Sequence, residues 1–138
     1  MLGLALALVV MHGPQRSPAL DLRTAAQQVA GTLRLARSRA IASNRDVGVT
    51  FDTAARSVRL DGTGARTLPP GVGITVTALT TAPLGETAGE GLAAIRFAPD
   101  GSSTGGQVDL DGAGRRVRIG VEWLTGRVEV FAPVADGA

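Results

Sequence analysis

"SPALDLRTAAQQVAGTLRLARSRAIASNRDVGVTFD", residues 17–52, changes its apolar period part-way along, and that change decides the fold class. In the first part Leu22, Ala25, Val29, Leu33, Ala36 and Ala40 recur every three or four residues, the single stripe of an amphipathic helix. Ser17 is placed to cap the helix, and Pro18 suits its first position. Gly31 is an interior defect of about 1 kcal/mol against alanine. The stripe is rich in alanine, so the helix axis can lie close to whatever it packs on. Arg23, Arg34, Arg37 and Arg45 gather on a neighbouring face, and Asn44 suits a left-handed stop.

From Asp46 the period becomes two. "DVGVTFD" (46–52) and "RSVRLDG" (56–62) are short strands joined by a "DTAA" turn, a hairpin. "VGITVTAL" (72–79) is a third strand after "LPPG". Residues 80–91, "TTAPLGETAGEG", have turn composition and no period, which predicts a loop. "LAAIRFAPDG" (92–101) runs from strand into turn, and "GQVDLDG" (106–112) is a strand ending in an Asp-Gly turn. In "RRVRIGVEWLTGRVEVF" (115–131) Val117, Ile119, Val121 and Trp123 share one face before "LTG" reverses the chain. One long helix followed by about seven strands predicts an α+β protein, the helix packed on an antiparallel sheet or sandwich. Three segments result: 1–16, an apolar lead; 17–45, the amphipathic helix; and 46–138, the β domain.

The lead, "MLGLALALVVMHGP" (1–14), holds eleven uncharged residues before His12, Gly13 and Pro14 break it. Eleven helical residues cover ~16 Å, against a hydrocarbon core of ~30 Å. A secretory signal would want a basic start and a small-x-small cleavage site; nothing basic precedes Leu2, and "VVMHG" is a poor site. A buried core helix or irregular terminus, a cleaved signal, and the distal half of a membrane helix all remain open, with length favouring the last.

The 138 residues suit one domain with an appendage. Cysteine is absent, which excludes disulfides and thiolate metal sites. Aromatic residues make up 3% of the chain, too few for stacking platforms. All 14 basic residues are arginine, against 12 acids. Six arginines and one aspartate in residues 1–45 give that part +5; eight arginines and eleven acids in 46–138 give −3. Positive charge beside an apolar run suits an anionic membrane surface better than a nucleic-acid groove.

Little in the chain points to catalysis. His12, the lone histidine, has no acid near it in sequence, so a nucleophile–histidine pair is not expected. Asp109 and Asp111 in "DLDG" form a fragment of a calcium loop without its later ligands, and no metal site is expected. "FAPDGSSTGG" (97–106) is glycine-rich, but a strand rather than a helix follows it, which argues against phosphate binding. "RRVR" gives Arg115, Arg116 and Arg118, the one basic cluster of the β region, set among Asp109, Asp111 and Glu122.

Three stretches together resemble the GspH/FimT family of minor pseudopilins and pilins: "DLRTAAQQVAGTLRLARSRAIASNRDVGVTFD" (21–52), "IRFAPDGSSTGGQVDL" (95–110) and "VRIGVEWLTGRVEV" (117–130). In that family an Arg/Ala-rich helix breaks into the first strand, a Phe-x-Pro-Asp-Gly segment with a glycine pair precedes a strand, and a Thr-Gly-Arg hairpin closes the sheet. The resemblance implies a pseudopilin-like fold and a structural subunit with no enzymatic activity, cofactor or small-molecule substrate. It implies a place near the tip of a type II secretion pseudopilus, with other minor pseudopilins and the inner membrane as partners and the globular domain in the periplasm. Leu2, Leu4, Leu6, Leu8, Val9 and Val10 become the latter part of the membrane and assembly helix, with a kink between Pro14 and Pro18. Leu22, Ala25, Val29, Leu33, Ala36 and Ala40 become the helix–sheet packing.

The rival is a FimT-like pilin that binds DNA for uptake through Arg115, Arg116 and Arg118. The −3 charge of the β region and the uncharged-to-acidic end "APVADGA" speak against it. A glycan-active β protein is a third reading, disfavoured by the few aromatics. Family members also carry a basic leader, a peptidase site and an early glutamate, and none of these is in the sequence. The anchor's length predicts that in-frame codons upstream of Met1 encode a basic leader and further apolar residues. Sequencing the upstream DNA checks this; a stop codon just before Met1, with no alternative start, counts against it.

Overall fold

The computed structural model describes residues 18–77 and 92–135. Helix α1 (Pro18–Ser43) is followed by β1 (Val47–Asp52), β2 (Ser57–Leu60), β3 (Arg66–Thr67), β4 (Gly73–Thr77), β5 (Leu92–Phe97), β6 (Gly106–Gly112), β7 (Arg115–Val121) and β8 (Val128–Ala135). The strands form two four-stranded sheets, in the orders β3-β2-β1-β5 and β4-β6-β7-β8. Every pairing is antiparallel. The strands number eight against an expectation of about seven. The extra one, β3, is two exposed residues long, too short to show any alternation in sequence.

α1 stops where its backbone turns left-handed. Asn44 has φ +53°, and the Arg45 N–H donates to the Ala40 carbonyl at 3.2 Å. This six-to-one bond caps the helix and sends the chain into β1. Arg45 therefore lies beyond the helix, not on the arginine-bearing face expected of it. The Ser43 hydroxyl donates to the Arg39 carbonyl at 2.6 Å, occupying another C-terminal acceptor.

The helix packs on strands of both sheets. Leu22, Ala25, Val29, Leu33, Ala36 and Ala40 are buried, and Ala26 and Ala30 widen the stripe. Against it lie the inward residues of the sheets, aligned by register. Val49 pairs with Leu60 on one side and Ile95 on the other, and Phe51 pairs with Val58. In the second sheet Leu110 lies between Ile74 and Val117, and Val108 between Val76 and Ile119. Leu68 and Val72, in the link between the sheets, complete the same core.

Three sequence expectations fail in the second sheet. Asp111-Gly112 is not the turn: both residues stay in β6, and the chain reverses at Ala113 and Gly114, with φ +53° and +69°. Two positive φ values in a two-residue loop match the twist of the flanking strands. This register sets Leu110 opposite Val117 and Asp109 opposite Arg118; a turn two residues earlier would set Leu110 opposite Ala113. Trp123 does not share the inner face of Val117, Ile119 and Val121. The strand ends at Val121, the Gly126 N–H donates to the Glu122 carbonyl at 2.8 Å, and Trp123 in the resulting turn is 59% exposed. β8 runs four residues past the expected Phe131, to Ala135. Its register shifts by one opposite the Arg116–Arg118 stretch. Pro133 falls in that bulge on an edge strand, where its missing N–H is tolerated.

The stripe predicts opposite failures at two of its positions. Leu33→Ala should cost about 2–5 kcal/mol through a cavity. Ala36→Leu should cost about 1–3 kcal/mol through overpacking. Urea unfolding of both variants measures these losses.

Candidate functional site

Next to the buried Ala36, Arg37 points sideways and ties two turns to the helix. Its Nε donates to the Gly101 carbonyl at 3.3 Å and to the Thr125 carbonyl at 3.1 Å. Gly101 belongs to the turn after β5, where its N–H donates to the Ala98 carbonyl at 2.9 Å. Thr125 belongs to the turn between β7 and β8. The two turns meet under the guanidinium. A Cβ on Gly126 would run into the Gly101 carbonyl oxygen and lie 3.1 Å from Arg37 Nε, and Gly126 has φ +69°. Glycine is thus required at 126 for both space and backbone conformation. One turn along the helix, Arg34 Nη2 donates to the Val128 carbonyl at 3.3 Å.

The β5–β6 turn is closed by its own side chains. Asp100 accepts from the Ser102 hydroxyl at 2.6 Å and the Ser102 N–H at 3.0 Å. These bonds, the hydroxyl's first, hold the Asp100 carboxyl below its ordinary pKa. Thr104 hydroxyl accepts from the Arg96 N–H at 3.1 Å, and Ser103 hydroxyl donates to the Arg96 carbonyl at 2.8 Å. The polar loop thereby binds the free edge of β5. The glycine-rich stretch is a packed turn leading into a strand.

Arg115, Arg116 and Arg118 are all exposed on β7. Arg118 Nε donates to Asp109 at 2.9 Å across the ladder. That bond, then the charge of Asp109, raises the Arg118 pKa. Arg116 stands opposite Asp111 in register, and Arg115 opposite Gly112 next to the hairpin turn. Two of the three guanidiniums therefore face carboxylates across the ladder, which offsets the positive field that a phosphate backbone would need. Asp109, considered above as a calcium ligand, is instead the acceptor for Arg118.

Leu2, Leu4, Leu6, Leu8, Val9, Val10 and His12 lie outside the described residues, as does the 80–91 loop. Among the described residues no helix is long and apolar enough to cross a membrane. The sequence places Arg34 and Arg37 on the face neighbouring the apolar stripe, and Gly101 and Gly126 within motifs, without joining them. The signal was there: the two motifs are turns containing glycine, and each needs a donor for its outward carbonyls.

A family model described as "Type II transport protein GspH" matches residues 25–125. The chain belongs to the GspH family. The match takes in the helix stripe from Ala25 onward, the β5–β6 turn and the β7–β8 turn as far as Thr125. A type II secretion system protein H of Xanthomonas campestris is 31% identical over 132 residues, covering 91% of this chain and 76% of that protein. The minor pseudopilin EpsH from the type 2 secretion system of Vibrio cholerae superimposes with a TM-score of 0.63 at 18% identity, over 81% of this chain and 97% of that one. The type IV minor pilin FimU of Pseudomonas aeruginosa does so with a TM-score of 0.61 at 11% identity, over 83% and 90%. At such identities these likenesses establish the fold, which secretion and pilus subunits share. The GspH family consists of structural minor pseudopilins of type II secretion, and its membership implies assembly with other pseudopilins.

Glycine-to-alanine substitutions should separate the clamp from the helix face. Gly126→Ala should destabilise the domain by about 2 kcal/mol or more through strain and overlap. Gly31→Ala should stabilise by about 1 kcal/mol, since nothing lies within 4 Å of a Cβ there. Thermal unfolding of the two variants, with Arg37→Met beside them, reads both signs.

Proposed function

We propose that this chain is a minor pseudopilin built into a type II secretion pseudopilus near its tip, held to its neighbours and to the inner membrane by its N-terminal segment. The globular domain then stands in the periplasm. The observation that carries the reading is the family match across 25–125 together with the apolar sequence 1–11 just ahead of the helix. The six stripe residues from Leu22 to Ala40 are spent on the domain's own sheets. Leu2, Leu4, Leu6, Leu8, Val9 and Val10 are left to serve the bilayer or the bundle of neighbouring helices. The DNA-uptake reading through Arg115, Arg116 and Arg118 has less support, because Arg118 is paired with Asp109 and Arg116 faces Asp111.

Leu6→Asp or Val10→Asp would set a carboxylate in an apolar interior, at a cost of ~2.5–3.5 kcal/mol at a membrane helix centre. Either change should abolish secretion in cells while leaving the melting of the globular domain unchanged. Arg115, Arg116 and Arg118 replaced together by alanine should leave secretion near normal, as exposed charges contribute little to stability. Secretion assays and DNA binding at two salt concentrations, run on full-length variants, test this. Normal secretion from the aspartate variants, with salt-sensitive DNA binding lost in the arginine triple, would overturn it.

A further inference from the structure

We infer that the cleft between α1 and the β7–β8 turn is a docking site for a carboxylate-bearing segment of a neighbouring pseudopilin, with Trp123 and Leu124 as its apolar anchor. The inference rests on the assembly role proposed above and adds a surface to it. The cleft, about 490 Å³, takes Arg34, Arg37 and Ser38 from the helix and Arg127 from the turn. Arg34 spends one N–H on a backbone carbonyl, and Arg37 shares its single Nε–H between two. Among the described residues neither has a carboxylate within ion-pair distance. Each keeps further N–H groups, and a guanidinium fork suits a carboxylate with two parallel bonds. Among the described residues Arg127 pairs with the exposed Glu129, at 3.0 Å, a contact that a better partner can displace.

Beside these charges the chain exposes its single tryptophan. Trp123 is 59% and Leu124 61% exposed. The backbone at Trp123 is held from beneath: its carbonyl accepts from the Ser103 N–H at 2.8 Å, and a Cβ on Gly105 would meet its Cβ at 3.0 Å. An exposed tryptophan and leucine in the same turn that lines an arginine-bearing cleft have the composition of an interface centre. Glu122 also lines the cleft, and Glu129 stands beside it. Two carboxylates would repel a run of phosphates, while a peptide with one or two acids can bond the arginines without meeting them. That favours a protein segment over nucleic acid.

The sequence has no cysteine, so a single cysteine at position 124 is unique in the chain. In cells carrying full-length Leu124→Cys, a short thiol-to-amine cross-linker is expected to join the chain to another pseudopilin of the same system. Adding Arg34→Glu and Arg127→Glu should cut that product at least tenfold, and Trp123→Ala should lower it several-fold. Arg37 is left intact because it holds the turns together, and the melting temperature of each variant verifies folding. An acid-to-arginine change in the cross-linked segment of the neighbour should restore the product in the charge-reversed variant. Absence of a pseudopilin product, or a product indifferent to the charge reversal, overturns the proposal. So does loss of DNA binding in the charge-reversed variant with the cross-link intact, which would make nucleic acid the occupant. Secretion lost in Leu6→Asp but normal in the charge-reversed variant refutes this surface alone; secretion normal in both refutes the assembly reading with it.

Discussion

Ala25, Ala36 and Ala40 carry nothing beyond a Cβ, and all three are fully buried where α1 meets strands of both sheets. Their small size lets the helix backbone approach the sheets closely, while Leu22, Val29 and Leu33 fill the space between. Among the described residues, this helix is the element that packs on strands of both sheets. If the stripe is lost, both inner faces lose their common cover. The hydrophobic gain at this contact dominates because every inward strand residue, from Val47 to Val128, drains into the same cluster.

A helix buried along one stripe still has to be fixed in rotation and along its axis. The arginines beside the stripe do this by hydrogen bonding to carbonyls that the turns leave unpaired. Arg37 reaches two turns at once, and Arg34 reaches the start of β8. The geometry works only because Gly101 and Gly126 let the turns touch. These contacts are charge-assisted, and those to Val128 and Gly101 are partly buried, so those two contribute more than an exposed ion pair such as Arg127–Glu129. The same arginines keep donors facing outward. One row of side chains thus supports the fold from one edge and offers charge to a neighbour from the other.

The acids and arginines of the second sheet have a different use. Asp109 with Arg118, and Asp111 opposite Arg116, are cross-strand neighbours on its outer face. They favour the register that also aligns Leu110 with Val117. A cluster that looks basic along the chain is balanced once the strand beside it is in place. Linear charge counting misses this, because the compensating residues lie nine and five positions upstream.

The sequence by itself determined the helix, its buried stripe, its stop at Asn44 and most of the strands, because each depends on a local period or a local backbone preference. The family resemblance was legible for the same reason: its motifs are short turns and a capped helix. Only the tertiary structure decided the division into two sheets, the turn at Ala113-Gly114 and the exposure of Trp123. Each of those follows from which strand is adjacent, a non-local fact. The joining of Arg37 to Gly101 and Thr125 was hidden likewise, since its members lie 64 and 88 residues apart in the chain. Hydrogen bonding between distant carbonyls and a helix side chain has no period to betray it.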